Sequence, residues 1–265
     1  IAGYVQYGYV KEALESFDQM QQKGFSPNSV TFLCILKACG SMRAIEKGTQ
    51  IYGTILREGL LERNVLIGTA LMDMYAKCGT PSKAQEVFDQ LHIRDIASWN
   101  TLIAAYVQHG YGEEALNCLQ WMQRESISPN SVTLLCVLSA CNRSGLLDKA
   151  RILFENMSRE YGIMPNVEHY SCMMVSFGCA GHFDKAISAL KLIPSCKCLA
   201  VWLALLSTCR KWGNVKLGRM AFYQAVELDR DCGTAYALMA EIFAAAGMQE
   251  DAEMVKSMRL KYDVV

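Results

Sequence analysis

Twelve cysteines and four histidines are the residues of this 265-residue chain best suited to metal or nucleophilic chemistry. Cys196-Lys197-Cys198 is the tightest cysteine pair, but no C-x-x-C occurs, and His92, His109, His169 and His182 are scattered along the chain. That spacing does not supply a structural zinc site. No nucleophile with an adjacent base, no phosphate loop and no paired-carboxylate constellation stands out either. The chain is therefore predicted to have no catalytic residue, no metal and no cofactor. What remains is hydrogen-bonding chemistry, carried by residues such as Asp95, Asn100 and Asn130. Asn and Asp commonly cap helices and close turns, and an amide also offers a donor and an acceptor together.

These residues sit at the edges of a repeated element. Between Asp95 and Asn130, Trp99, Leu102, Ile103 and Tyr106 recur at helical spacing behind Ser98, read as an N-cap, and Gly110 ends that helix. A second helix restarts at Gly112 with Ala115, Leu116, Leu119 and Met122 on one face, and Pro129 lies beyond its end. The small anchors Ala13, Gly48, Ala84, Ala115, Ala150, Ala186, Gly218 and Ala252 lie 35, 36, 31, 35, 36, 32 and 34 residues apart. In seven of these eight units a glycine stands five residues before the anchor; the unit of Gly48 lacks it. A small side chain is needed where two antiparallel helices on a short turn approach closely. One hairpin cannot bury its own faces, so stacking must supply the core.

The spacing predicts an all-α fold, an α-solenoid of stacked helix-turn-helix units at 1–28 (truncated), 29–64, 65–95, 96–130, 131–166 and 167–198, followed by two hairpins in 199–265. Residues 65–95 are short by about one helical turn. Cys39, Cys141 and Cys209 fall at the eleventh position of their units, where Tyr4, Tyr75, Tyr106, Phe177 and Phe243 stand in others, so that position is a core slot. Such thiols belong to packing in a reducing compartment. Lys plus Arg (26) balances Asp plus Glu (26), which argues against a broad basic field for nucleic acid. No window of about 18 apolar residues marks a membrane span. The chain starts at Ile1 inside a repeat, so any targeting segment is expected to lie outside it.

The unit lengths, together with SWNTLIAAYVQHGYGEEAL, SVTFLCILKACG and LMDMYAKCG, resemble the pentatricopeptide repeat family, specifically its plant PLS subclass. By that resemblance 1–28 is a partial P unit, 29–64 and 131–166 are L, 65–95 and 167–198 are S, and 96–130 is P. VWLALLSTCRKWGNVKLG and YALMAEIFAAAGMQEDAE resemble the two E motifs that follow such arrays. The resemblance implies a right-handed superhelix that binds single-stranded RNA in mitochondria or chloroplasts. Its most common role is site recognition for C-to-U RNA editing, with DYW-type deaminase proteins and multiple organellar RNA editing factors as partners. The deaminase signature, an H-x-E with a P-C-x-x-C, does not occur here, so a deaminase is expected either to act in trans or to belong to a longer protein of which this chain is a piece.

Family members read one base per unit with the fifth and last residues. Here those pairs are Leu33 with Asn64, Thr69 with Asp95, Asn100 with Asn130, Leu135 with Asn166 and Ser171 with Cys198; the first unit keeps only Asn28. The amides of Asn100 and Asn130 suit a pyrimidine, whereas Asp95 beside Thr69 suits the donors of guanine. The resemblance thus implies G at the third unit and C or U at the fourth. Leu66, Ala97 and Val132, at the second position, are the expected apolar walls between bases. Glu168 and Cys198 depart from the pattern, and Leu33 and Leu135 carry no hydrogen-bonding group. Lys77, Arg143 and Lys211, at the thirteenth position, are candidate phosphate contacts or solvated surface cations.

Two other readings compete. A splicing, stability or translation factor would use the same RNA contacts. A tetratricopeptide-like scaffold would bind peptides and no RNA, but its units should keep one length near 34 residues.

Overall fold

A computed structural model describes residues 1–191 and 198–262; Cys196 and Lys197 lie outside the described residues. Among the described residues there are seventeen helices and no strand. None of these helices is long and apolar enough to cross a membrane.

The helices divide between two compact units, Ile1–Ser144 and Gly145–Val265. The first holds α1 (Ala2–Gln6), α2 (Val10–Gln22), α3 (Ser29–Met42), α4 (Ile45–Arg57), α5 (Leu60–Arg63), α6 (Val65–Lys77), α7 (Pro81–Asp89), α8 (Ile96–His109), α9 (Gly112–Arg124) and α10 (Ser131–Arg143). The second holds α11 (Leu147–Glu160), α12 (Val167–Cys179), α13 (Phe183–Lys191), α14 (Leu199–Trp212), α15 (Val215–Leu228), α16 (Gly233–Ala245) and α17 (Gln249–Tyr262).

In the first unit α1, α3, α6, α8 and α10 form a row of neighbours, and α2, α4, α7 and α9 each also lean on the next helix of that row. In the second, α12, α14 and α16 form the corresponding row. The predicted shortening of 65–95 falls in α7, which has 9 residues where α4 and α9 have 13. The four missing residues are about one turn.

The small anchors occupy the tightest contacts. Ala13, Ala84, Ala115, Ala150, Ala186 and Ala252 are completely buried. A Cβ on Gly48 would stand 2.5 Å from the Met74 sulfur, and one on Gly218 would stand 3.1 Å from Ile242 Cδ1. At these two anchors a Cβ would crowd a side chain of the neighbouring unit, which accounts for glycine there. The glycine five residues ahead of each anchor turns the chain through the left-handed region, with φ from 64° to 83° at all seven positions. The unit that lacks this glycine makes the same turn with Arg43, at φ 55°.

The eleventh-position slot is core as expected: Cys39, Cys141 and Cys209 are fully buried, and Tyr75, Phe177 and Phe243 nearly so. Two tyrosines depart from this: Tyr106 is half-buried, and Tyr4, in the truncated first unit, is 45% exposed. Burial raises the thiols of Cys39 to about 11 and of Cys118 and Cys209 to about 12, so they behave as packing groups.

One local expectation is corrected. Ser98 does not cap α8; Asp95 does, accepting from the Ser98 N–H at 2.8 Å. Ser98 lies three residues inside, fully buried, and donates its hydroxyl to the Asp95 carbonyl at 2.8 Å. An aspartate bears negative charge against the positive end of the helix, which favours it as the cap.

Candidate functional site

The last residue of each repeat is the N-cap of the helix that opens the next. Asn28 accepts from Thr31 N–H at 2.9 Å, Asn64 from Leu66 N–H at 3.0 Å, and Asn130 from Thr133 N–H at 2.9 Å. Asn166, in the second compact unit, accepts from the backbone of Glu168 and His169. Cys198 precedes α14 without any side-chain cap bond. The capping role therefore holds for five of the six last residues, and it fixes each of those carbonyls or carboxylates at a helix start.

Their fifth-position partners lie one turn into the preceding row helix. Asn100 Nδ2 reaches Asn130 Oδ1 at 3.5 Å, across 30 residues of sequence. Asn100 is half-buried and Asn130 exposed, so the pair stands at the edge of the stack. Thr69 and Asp95 are not joined by a hydrogen bond among the described residues. Thr69 donates its hydroxyl to the Val65 carbonyl at 2.9 Å. Ser171 does the same to Val167 at 2.7 Å.

A groove of about 510 Å³ runs over α3, α6, α8 and α10. Leu33, Thr69 and Asn100, the fifth residues of three successive repeats, line it together with Leu66 and Val132. Leu66 is 62% and Val132 54% exposed, apolar side chains held in solvent on either side of the polar positions. Ala97 is exposed but is not among the lining residues. Cys136 also lines the groove, its thiol raised by burial.

The three candidate cations are tied to neighbouring carbonyls or carboxylates. Lys77 pairs with Asp73 at 2.6 Å within α6. Arg143 donates to the Gln108 carbonyl at 3.2 Å, and Lys211 to the Cys179 carbonyl at 3.0 Å. All three are exposed, so each keeps donors free for a ligand anion. No group of three or more His, Cys, Asp or Glu among the described residues could hold a metal ion.

The structure adds one layer that sequence reasoning missed. Ser98, Thr133 and His169, the third residues of consecutive repeats, are completely buried polar groups facing the caps. Thr133 and His169 complete reciprocal capping boxes with Asn130 and Asn166. The N-x-x-T spacing at Asn28–Thr31 and Asn130–Thr133 was the available signal.

Comparison with known proteins follows the same repeats. A profile described as the PPR repeat family matches residues 1–41 and 94–143. A pentatricopeptide repeat domain profile matches 122–179, and a PPR repeat profile matches 69–96 and 168–198. The Arabidopsis thaliana pentatricopeptide repeat-containing protein CRR2, chloroplastic, is 40% identical over 260 residues, covering 97% of this chain and 39% of that protein. A second Arabidopsis thaliana pentatricopeptide repeat-containing protein, At4g16470, is 37% identical over 97% of this chain and 51% of its own length. The chain thus spans about two-fifths to one-half of these relatives. Among solved structures, the pentatricopeptide repeat protein PPR10 in complex with an 18-nt psaJ RNA element superposes with a TM-score of 0.77 at 17% identity, covering 100% of this chain and 39% of that one. PPR10 from maize gives 0.56 at 19% identity, over 97% of this chain and 43% of that one. The fold is accordingly an all-α solenoid of stacked hairpins, and the chain belongs to the pentatricopeptide repeat family.

Proposed function

We propose that this chain binds single-stranded RNA and reads bases with successive repeats. The observation that carries the reading is the Asn100–Asn130 pair, 3.5 Å apart at the edge of a groove lined by three successive fifth residues. The third and fourth repeats each place one polar fifth residue there, Thr69 and Asn100, beside the exposed apolar side chains of Leu66 and Val132. This is the arrangement needed to separate stacked bases and address each edge.

At the third repeat, Thr69 has committed its proton to Val65, and Asp95 keeps one carboxylate oxygen beyond its cap bond. A carboxylate accepts only, which matches the N1–H and N2–H donors of guanine. At the fourth, Asn100 and Asn130 supply amides suited to C or U. Asn64, Asn166, Ser171 and Asn28 complete the set of base-facing candidates, with the readout weakest where Cys198 and Glu168 replace the expected types. Lys77, Arg143 and Lys211 supply the phosphate contacts.

Within RNA biology we assign the chain to site recognition for C-to-U editing in a mitochondrion or chloroplast, as a PLS array followed by two E motifs. The alternation of 35-, 36- and 31-residue spacings supports that subclass. A DYW-type deaminase protein, with multiple organellar RNA editing factors, would then act on the bound RNA. Gel-shift titration with a random single-stranded RNA pool, beside a duplex of the same composition, tests the binding. Retention of the single strand alone is expected; equal affinity for duplex, or no retention, would overturn the assignment.

A further inference from the structure

The Asn100–Asn130 pair is bound by a third group from the following repeat. Thr133 is fully buried, and its Oγ1 lies 2.6 Å from Asn100 Oδ1 and 2.9 Å from Asn130 Oδ1. The same oxygen accepts the Asn130 backbone N–H at 3.1 Å. A hydroxyl has one hydrogen to donate. Asn130 Oδ1 already receives the Thr133 N–H at 2.9 Å, so the shorter contact, to Asn100, takes the hydroxyl hydrogen.

These bonds fix which way both amides face. Asn130 must turn its carbonyl inward, because a backbone N–H points at it. The Asn100 atom 3.5 Å from that carbonyl must then be the NH₂ group, since two acceptors repel, and the Asn100 carbonyl is left facing Thr133. Among the described residues the second and third repeats show no such link. Ser98 donates to the Asp95 backbone and does not reach Thr69, and the residue at the corresponding place after Asn64 is Ile67, which has no polar atom.

Resting on the RNA-reading assignment above, we propose that Thr133 is a positioning residue for base choice. Its hydroxyl holds the Asn100 carbonyl while its backbone N–H holds that of Asn130, which leaves the NH₂ group of each amide to meet a base. Two donors fit a base edge with adjacent acceptors, as at N3 and O2 of cytosine. Uracil places an N3–H against one of them. The pocket of the fourth repeat therefore selects cytosine over uracil.

The test uses the full chain with an RNA recovered from a random pool and its single-base variants at the nucleotides facing the third and fourth repeats. Wild type should favour C over U at the fourth by about five-fold, the scale of one net hydrogen bond. Thr133→Val, which keeps the shape and removes the hydroxyl, should bring C and U within about two-fold while leaving the G preference at the third nucleotide unchanged. Thr133→Ser should restore the C preference. Equal binding of C and U by wild type overturns the proposal even if the valine variant does not fold. So does a valine variant that keeps the preference, or one that loses selectivity at both nucleotides together. Absence of RNA binding by wild type would instead remove the assignment on which the proposal rests.

Discussion

Arg143 donates to the backbone carbonyl of Gln108 at 3.2 Å, and both residues hold the thirteenth position of consecutive repeats. Lys211 and Cys179 repeat the relationship at 3.0 Å. Each cation thereby neutralises the carbonyl end of the neighbouring row helix, where positive charge is favourable. The bond uses one guanidinium nitrogen or one ammonium proton and leaves the others for a phosphate. On single strands the salt slope is about −0.7 for each phosphate neutralised. With Lys77, Arg143 and Lys211 engaged, log affinity against log salt should fall with a slope of about −2, and Arg143→Ala should reduce that slope by about 0.7. A slope near zero would assign all three cations to packing, and a slope untouched by the substitution would do so for Arg143.

Arg43 makes a left-handed turn at φ 55° where seven other repeats use glycine. The left-handed conformation costs an L-residue roughly 1–2 kcal/mol, while glycine adds entropy to the unfolded chain. Arg43→Gly should stabilise the protein by up to about 1 kcal/mol after that offset, read as a higher urea midpoint. A lower midpoint would mean that Arg43 makes compensating contacts worth more than the strain.

Burial raises Cys39 from 9.0 to about 11, and Cys118 and Cys209 from 9.0 to about 12. In the unfolded chain these thiols ionise near the ordinary value; in the folded chain they stay protonated. Unfolding then releases protons, so this contribution to stability is complete below about pH 9 and is lost as pH rises toward 12. Urea midpoints should be flat from pH 6 to about 8 and fall above about 9, while an exposed thiol such as Cys179 reacts with a disulfide reagent without unfolding. Rapid modification of Cys118 in the native protein would contradict its placement.

Much of this was legible in the sequence because packing repeats. The small anchors, the turn glycines and the eleventh-position slot follow from hairpins that must stack, and the structure buries or turns the chain at those places. The short second helix of 65–95 was visible as a missing turn. What the sequence hid was local competition for the helix starts. Ser98 and Asp95 are both good caps, and only the backbone path places Asp95 at the end of α8 and Ser98 in the core. Thr133 was hidden for a similar reason: its link to Asn100 joins residues 33 apart and depends on how α10 lies beside α8.

The central claim is that fifth and last residues read a base together. Asn100→Thr with Asn130→Asp gives the fourth repeat the residue types of Thr69 and Asp95, and aspartate at a helix start caps well, as Asp95 does. Selection from a random RNA library should then recover G in place of a pyrimidine at the nucleotide facing that repeat, with discrimination on the order of 1–3 kcal/mol. Recovery of the same RNA motif by both proteins would contradict the account.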